Sequence, residues 1–349
     1  MTKRVERVDD RLRSIKKPQL ELLNEIHVGD NDLLVIVAGF EDRSLGVLER
    51  LSSSGSSGFT AIVLKYKPFL KENKIQEMYK LCQKLKAEII DLTYDRHNPA
   101  GAGESLIELI NENKIKGRIF LDVSAMSRLL IVQSLVAIGK SVHRFSNVRV
   151  LYLEASEYPP TEKEVAAEIK KNENDTIYRT IFLSSGVYDV TIVPELSSVA
   201  MHGQPVRLIA FPSFNTDQLA SLRGEMHPSY FSFIHGIPPL PENRWRTEKI
   251  KLLNHIGKIL NREDKETSTL NYQETLDCLL EIYNDYGDIE RIIIAPTGSK
   301  MQSVAVGIFR TFMNDVQVVY PTPRKFSSPQ NYTRGVRNIY SLALDAFNI

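Results

Sequence analysis

The sequence predicts an α/β fold made of two tandem domains, each a mainly parallel sheet with helices on both faces. Two observations support this prediction: short apolar runs alternate with helical segments, and the second half of the chain repeats the order of the first. Apolar runs of five or six residues are typical of strands buried on both faces of a parallel sheet. The helical segments between them supply the crossover connections that parallel strands require.

The repeat is clearest at two strand-to-helix turns. One apolar run leads into Ser124-Ala125-Met126-Ser127-Arg128, and another leads into Pro296-Thr297-Gly298-Ser299-Lys300, at an offset of 172 positions from residue 128 to residue 300. Further pairs occur in the same order: 33–37 with 205–209, 59–62 with 231–234, 148–152 with 316–320, and Ser185-Gly186-Val187 with Arg334-Gly335-Val336. Several matches in order indicate an internal duplication into two Rossmann-like domains.

The elements follow from hydrophobic periodicity, taken in chain order. Residues 1–26 have apolar positions at helical spacing and are predicted to form a helix. The first copy is predicted to have strands at 33–38, 60–66, 88–92, 119–123 and 148–153, with helices at 44–51, 71–85, 103–113 and 129–139. The second copy is predicted to have strands near 206–211, 230–235, 267–271, 291–295 and 316–320.

Two further predicted strands, 181–193 and 336–344, are expected to end the copies as hairpins or edge strands. Pro194, Gly203 and Pro205 mark the boundary between the copies. The domains are therefore placed at 1–29 (a helical segment), 30–194 and 195–349, with an insertion at 161–180 in the first copy.

Composition restricts the functional classes. Of the 349 residues, 42% are hydrophobic and 25% are charged, as in globular proteins. No apolar run approaches the ~20 residues that span a bilayer, and the N-terminus lacks the apolar core of a signal peptide, so we expect a cytoplasmic location. A net charge of +1 gives no support for a general nucleic-acid-binding surface. We expect no metal and no cofactor, because metal-ligand spacing and the dinucleotide and P-loop motifs are missing from the sequence.

Candidate binding residues follow from where ligands bind in open α/β sheets, beyond the carboxyl ends of the strands at the point where strand order reverses. The loops after the first and fourth strands of each copy contain Gly39, Arg43, Ser44, Ser124, Ser127 and Arg128, and then Thr297, Gly298, Ser299 and Lys300. A hydroxyl and a cation beside the N–H groups of a helix start can hold a phosphate or carboxylate. Serine and threonine also commonly cap helices there, whereas a cation opposes the helix dipole unless an anion lies nearby.

Three residues near the same edge are candidates for a general base: Glu41, Asp42 and His97. Each has a structural alternative. The two acids can form salt bridges with Arg43 or Arg128, and His97 lies in a polar loop where a surface histidine is common. The chain has no Gly-x-Ser-x-Gly motif, so the sequence gives no support for a hydrolase nucleophile elbow.

The stretch 292–301 resembles the signature of CRISPR-associated Rossmann-fold (CARF) domains. In that family the fourth strand ends in a turn of small and hydroxyl residues with Lys or Arg, often followed by Met. Thr297, Gly298, Ser299 and Lys300 match this motif, and Ser127-Arg128 matches it less well. Two such domains in one chain are similar to the tandem arrangement of SAVED sensors. The resemblance implies a sensor of cyclic oligonucleotides.

The leading hypothesis is a nucleotide-sensing or adaptor component of a prokaryotic antiphage defence system, without catalytic activity. The two copies take up residues 30–345, so we expect output through a separate effector protein. Two alternatives stay open. One is a nucleotide-processing enzyme on the same scaffold, such as a ring-nuclease-like phosphodiesterase or a nucleoside hydrolase or transferase. The other is a scaffold subunit that binds no small ligand and presents a surface to an ATPase or nuclease.

Overall fold

The described residues form two β-sheets, of seven and six strands. They belong to a computed structural model that describes residues 8–113, 115–171, 184–326 and 332–349. The chain divides into two compact units, each built around one sheet. The first-sheet unit comprises Lys17–Pro159 and Pro329–Asn348, and the second-sheet unit comprises Met1–Lys16, Pro160–Ser328 and Ile349.

Strands and helices alternate along the chain. The elements up to residue 192 are α1 (Val8–Ser14), β1 (Glu21–Leu23), β2 (Leu33–Ala38), α2 (Arg43–Ser54), β3 (Thr60–Lys67), α3 (Ile75–Lys84), β4 (Glu88–Asp95), α4 (Ala102–Glu112), β5 (Ile119–Asp122), α5 (Arg128–Lys140), β6 (Val148–Leu153), α6 (Glu162–Lys171) and β7 (Ser184–Ile192). They continue with β8 (Val206–Ala210), α7 (Thr216–Met226), β9 (Tyr230–Ile237), α8 (Trp245–Leu253), β10 (Arg262–Ser268), α9 (Tyr272–Tyr286), β11 (Arg291–Ala295), α10 (Lys300–Phe312), β12 (Gln317–Phe326) and β13 (Ile339–Ala343).

Both sheets have the same arrangement of five parallel strands. The first sheet runs β1-β13-β6-β5-β2-β3-β4, and the second runs β10-β9-β8-β11-β12-β7. When the five parallel strands of each sheet are numbered along the chain, both have the order 3-2-1-4-5. Doubly wound nucleotide-binding sheets use this order. The predicted fold class, two Rossmann-like domains with mainly parallel sheets, is therefore confirmed.

The strand that follows each set of five belongs to the other sheet. After β6, the chain continues to β7, which pairs antiparallel with β12 in the second sheet. After β12, it continues to β13, which pairs antiparallel with β6 in the first sheet. β7 is an edge strand, as expected, but β13 lies between β1 and β6 and is not an edge strand. The two units are thus interleaved along the chain, whereas the sequence predicted contiguous domains at 30–194 and 195–349.

The N-terminal segment is the largest departure from the predicted elements. A helix was expected over residues 1–26, but α1 covers only Val8–Ser14, and residues 1–7 lie outside the described ranges. Pro18 follows α1, and a proline interrupts the helical hydrogen-bond ladder. Residues 21–23 instead form β1, an edge strand paired with β13. Within the predicted insertion at 161–180, α6 reaches Lys171, and the remainder lies outside the described ranges.

Two buried helices, α5 and α10, begin at the sheet edges where the candidate sites lie. In α5 and α10 nearly every side chain is buried, which is typical of helices covered on all sides. α5 packs closely on α4 at Gly103, where an added Cβ would lie only 2.7 Å from the Gln133 carbonyl oxygen. Each of these helices begins directly after a central strand, β5 or β11, so its N-terminus is fixed at the carboxyl edge of its sheet.

Candidate functional site

Each sheet has one switch point, where the strand order reverses between its first and fourth parallel strands. These strands are β2 and β5 in the first sheet and β8 and β11 in the second, and both pairs are hydrogen-bonded neighbours. The loops that leave their carboxyl ends meet in each unit. A Cβ at Gly39 would lie 3.3 Å from Ala125 Cβ, and Thr297 Oγ1 donates to the Phe211 carbonyl oxygen at 2.6 Å. The structure therefore brings together the loops that the topology predicts.

In the second sheet, Thr297 and Gly298 shape the turn after β11. Thr297 is only 3% exposed, and its hydroxyl is committed to the Phe211 carbonyl. A side chain at Gly298 would collide with Gln302 Oε1 and would lie 3.0 Å from Phe211 Cβ. This position therefore needs glycine because the two loops approach so closely.

Ser299 caps α10 through a capping box. Its Oγ accepts a hydrogen bond from Gln302 N at 3.1 Å, and its own N–H donates to Gln302 Oε1 at 2.8 Å. The Ser299 hydroxyl also donates to the Thr269 carbonyl oxygen at 2.6 Å. Lys300 is the first residue of α10 and is half-buried. The serine thus orients the helix N-terminus, and Lys300 brings a positive charge to it.

In the first sheet, the turn after β5 has the same capping serine with different support. Ser127 Oγ accepts from Leu130 N at 3.2 Å, and Ser127 N donates to the Tyr66 hydroxyl at 2.5 Å. Tyr66 in turn donates to the Ala125 carbonyl oxygen at 3.2 Å. Arg128 is the first residue of α5 and is half-buried. Both switch points therefore place a capping serine and then a cation at a helix start.

The polar groups of Ser124 and Arg43 form hydrogen bonds to other residues of the same unit. Ser124 is fully buried, and its Oγ lies 2.5 Å from Asp122 Oδ1 and accepts from Leu153 N at 2.8 Å. The Arg43 guanidinium is 2.6 Å from Glu41 Oε2 and donates to the Leu153 carbonyl at 3.2 Å. Burial acts to lower the pKa of Arg43, but the Glu41 carboxylate and two nearby phenols outweigh burial and raise it.

The remaining residues of the β2 loop are also internally bonded. Ser44 Oγ donates to the Glu41 carbonyl oxygen at 2.8 Å, which stabilises the first turn of α2. Glu41 also accepts a hydrogen bond from the Thr333 hydroxyl. Asp42 pairs with Lys74 Nζ at 2.6 Å and accepts from Gly335 N at 2.9 Å. The two acids therefore hold the segment that leads into β13.

The Asp42 contact has a counterpart in the second-sheet unit. Gly186 N, just inside β7, donates to Asp217 Oδ2 in the first turn of α7 at 2.8 Å. Gly186 and Gly335 have φ values of 64° and 63°, in the left-handed region that favours glycine. The sequence echo between positions 186 and 335 thus corresponds to the same backbone conformation and the same kind of acidic partner.

Asp42 should make the stability of the protein pH-dependent on the acid side. Hydrogen bonds from Lys74 and from Gly335 N hold the pKa of Asp42 below its ordinary value of 3.8. Because the pKa is lowered on folding, this stabilisation is present above about pH 4 and is lost as the pH falls through the folded-state pKa. Asp42→Asn should therefore lower Tm at neutral pH, and the difference from wild type should shrink below about pH 4.

Circular dichroism melts at a series of pH values measure this effect. Asp30→Asn, at an exposed carboxylate of the same unit, is the control and should show no such pH-dependent difference. A Tm difference for Asp42→Asn that stays constant down to about pH 2 would contradict the prediction.

His97 lies in the loop that follows β4. It is exposed just after β4, and its N–H donates to Asp95 Oδ1 at 2.9 Å. β4 is separated from β5 by β2 and β3 in the sheet. The preceding residue, Arg96, lies over the ring of Tyr66, whose hydroxyl accepts from Ser127 N.

Two participating side chains were missed by the sequence reasoning. Tyr66, near the end of β3, supports the Ser127 turn, and the Arg96 guanidinium lies 6.0 Å from the Tyr66 ring centroid. Gln302 completes the capping box of α10. The Ser-x-x-Gln spacing was a readable signal for Gln302. No local pattern identifies Tyr66, because it lies on β3 whereas the turn that it supports follows β5.

The hollow beside the second switch point is closely packed. Its lining residues are Ala210, Phe211, Pro212, Ser213, Asn215, Gln218, Leu219, Leu222 and Thr297. It has no interior space for a water molecule. Its polar side chains bond to one another or to the backbone, as Ser213 does with Gln218 at 3.1 Å. A ligand at this edge would lie on the rim instead of inside a preformed cavity.

The described structure has two cysteines and no cluster of metal-ligating side chains. Among the residues it describes, no group of three or more His, Cys, Asp or Glu side chains could hold a metal ion. Cys82 and Cys278 are free and buried, and burial raises the pKa of these thiols to about 11 and about 12. None of the helices in the described ranges has the length and apolar content needed to cross a membrane.

Comparison with known proteins gives only distant structural likenesses. No protein-family model matches the chain, and no curated protein matches its sequence. Can2 from Sulfobacillus thermosulfidooxidans, solved in complex with cyclic tetra-adenylate, is similar over 33% of this chain and 31% of its own, with 16% identity and a TM-score of 0.25. The chain thus spans under a third of the length of Can2.

The cytoplasmic domain of a prokaryotic cation chloride cotransporter is similar over 83% of this chain and 94% of its own, with 12% identity and a TM-score of 0.25. PA1789 from Pseudomonas aeruginosa PAO1 is similar over 84% of this chain and 92% of its own, with 9% identity and a TM-score of 0.24.

Proposed function

We propose that the protein is a nucleotide-binding sensor or adaptor that holds an anionic nucleotide at the rims of its switch points. One observation carries this proposal: in two sheets of the same strand order, a capping serine is followed by a cation at the first residue of the central helix. These cations are Arg128 and Lys300. The finer proposal, from the resemblance to CARF domains, is a cyclic oligonucleotide ligand within a prokaryotic antiphage system.

The chemistry at these helix starts favours a phosphate group. A helix N-terminus carries about half a positive charge, and an adjacent lysine or arginine adds a full one. The side-chain charge and the helix dipole have the same sign there, so an anionic ligand would interact favourably with both. In this proposal the hydroxyls of Ser127, Thr297 and Ser299 fix the turns, and Gly298 permits their close approach. Output would then require a separate effector protein.

A scaffold without a small ligand is the second candidate. It is favoured by the absence of interior space in the hollow beside Thr297 and by the internal bonds of the switch-point hydroxyls. The enzyme alternative has less support. Glu41 forms an ion pair with Arg43, and Asp42 forms one with Lys74, so both carboxylates already have structural partners.

Titration calorimetry with a panel of linear and cyclic oligonucleotides tests the proposal. Binding should weaken about tenfold or more in Lys300→Ala or in Arg128→Ala, because a charge-assisted hydrogen bond contributes about 1.5–3 kcal/mol. The matched controls are Lys258→Ala and Lys84→Ala, exposed lysines near the amino edges of the second and first sheets, which should bind as wild type does. Failure of the wild-type protein to bind any member of the panel would favour the scaffold. Unchanged binding in both cation variants would contradict the proposed site.

A further inference from the structure

A pair of arginines lies at the opposite edge of the second sheet, where the parallel strands begin. Arg291 is the first residue of β11, and Arg310 is in the last turn of α10. Their guanidinium groups reach two consecutive peptide units. Arg291 Nη2 donates to the Ser198 carbonyl oxygen, and Arg310 Nη2 donates to the Ser197 carbonyl oxygen, both at 3.3 Å. Because consecutive Cα atoms are ~3.8 Å apart, the two guanidinium groups converge on one small region.

Neither arginine of this pair is in direct contact with a carboxylate of the described residues. Among the described residues, no carboxylate forms an ion pair with Arg291 or Arg310. Their other acceptors are the neutral amides of Gln317, at 2.5 Å from Arg291, and Asn314, at 3.3 Å from Arg310. Arg310 is only 2% exposed, and the Nε atoms of both arginines are buried without a hydrogen-bond partner. The hydrogen bonds of the buried Arg310 and of the half-buried Arg291 thus go to neutral acceptors only. Burial lowers the pKa of Arg310 despite the opposing charge of Asp315, so its positive charge is only partly compensated.

Two other arginines show how a carboxylate can occupy the Nε–Nη2 edge of a guanidinium. Arg207 donates from Nε and Nη2 to the two carboxylate oxygens of Glu290, at 2.5 and 3.2 Å. Arg118, which directly precedes β5, donates from the same two atoms to Asp32, at 3.4 and 2.7 Å. In Arg310 the Nη2 of this edge makes one 3.3 Å bond to a carbonyl, and Nε is an unused donor. In Arg291 Nε is also unused, while Nη2 donates to both Gln317 Oε1 and the Ser198 carbonyl. The edge is therefore the right shape for a bidentate oxyanion.

We propose that Arg291 and Arg310 form a binding site for one tetrahedral oxyanion, either free phosphate or the phosphate group of a phosphorylated small molecule. The anion's oxygens take the positions of the Ser197 and Ser198 carbonyls and use the Nε and Nη2 donors of both arginines. Binding would therefore displace the segment at 197–198, which precedes the exposed Val199. The site lies at the amino edge of the sheet and is separate from the switch point at Lys300.

The experiment measures binding of inorganic phosphate to the full-length protein by calorimetry and by the rise of Tm with phosphate concentration. The wild type should show saturable binding and a rise in Tm. Arg291→Met and Arg310→Met should each bind phosphate about tenfold more weakly or worse, because each removes charge-assisted hydrogen bonds. Arg310→Lys should also lose most of the binding, since lysine keeps the charge but not the paired donors. Arg223→Met, an exposed arginine of the same unit, is the matched control and should behave as wild type.

The controls separate this site from the proposed nucleotide site. Methionine replaces a buried arginine at similar volume, so Arg310→Met should fold, and its Tm in phosphate-free buffer reports on folding directly. Phosphate binding that is lost in Lys300→Ala but kept in Arg310→Met would place the anion at the switch point and overturn this proposal. The absence of saturable binding to the wild type would also overturn it. Adenosine 5′-monophosphate binding more tightly than phosphate, with adenosine inactive, would identify a phosphorylated ligand, and equal affinities would identify free phosphate.

Discussion

Glu290→Ala should lower the free energy of unfolding by about 3–5 kcal/mol, because it leaves the Arg207 guanidinium buried without its carboxylate. Arg207 is 5% exposed and Glu290 is 6% exposed. The pair is bidentate, and the guanidinium carbon lies 3.4 Å from the centroid of the Tyr286 ring. Removing one member of such a pair destabilises far more than the pair itself contributes, since the remaining charge cannot return to water.

The position of this pair increases the expected effect. Arg207 is on β8, and Glu290 directly precedes β11. Arg207 also donates to Ser232 on β9, at 3.0 Å, and reaches Glu263 on β10, at 3.4 Å. One guanidinium therefore connects the amino ends of four neighbouring strands in the second sheet.

Urea denaturation of the wild type and variants measures this prediction. Glu263→Gln is the matched control, because the Glu263 side chain is 25% exposed and its contact is longer, so the loss should stay below about 1 kcal/mol. The double variant Arg207→Met/Glu290→Leu should recover most of the stability, since an apolar pair of similar volume can replace a buried ion pair. A loss below about 1 kcal/mol for Glu290→Ala would show that Arg207 can find water or another partner.

Much of the fold could be predicted because the central strands are buried on both faces. All six residues of β2 are buried, and the runs that form β3, β5 and β11 are similarly apolar. Such strands leave a continuous apolar signal in the sequence. β10 (Arg262–Ser268) leaves no such signal, because it is an edge strand rich in charged residues. For this reason the sequence placed the strand at 267–271. Charged residues on an edge strand protect the sheet from pairing with another chain. The same residues prevent the strand from being recognised by its hydrophobic pattern.

The exchange of β7 and β13 could not be predicted from the sequence. A hydrophobic pattern identifies a strand, but it carries no information on which distant edge accepts it. The echo between Gly186 and Gly335 was visible, yet its meaning needed the structure, because the acidic partners lie on helices far away in the chain. The same limit applies to the candidate site. The turns at Ser127 and Ser299 were correctly placed at strand ends, while the support from Tyr66 comes from β3, which is separated from β5 by β2.

Leu342→Ala should lower the free energy of unfolding by about 2–5 kcal/mol, although it lies only seven residues from the end of the sequence. β13 is paired on both sides, with β6 and with β1, and the Leu342 side chain is fully buried. Truncation to alanine would leave a cavity in the interior of the first-sheet unit.

The neighbouring strand supplies the control for this prediction. Leu22 is on β1, directly opposite Tyr340 of β13, and is 59% exposed. Leu22→Ala should change the free energy of unfolding by less than about 0.5 kcal/mol, as most surface substitutions do. Urea denaturation gives both values, and amide hydrogen exchange assigns the effect, since peptides from β6 should lose protection in Leu342→Ala but not in Leu22→Ala. Equal protection of β6 in the two variants would mean that β13 is dispensable, and the first sheet would then not depend on the strand that reaches it from the far end of the chain.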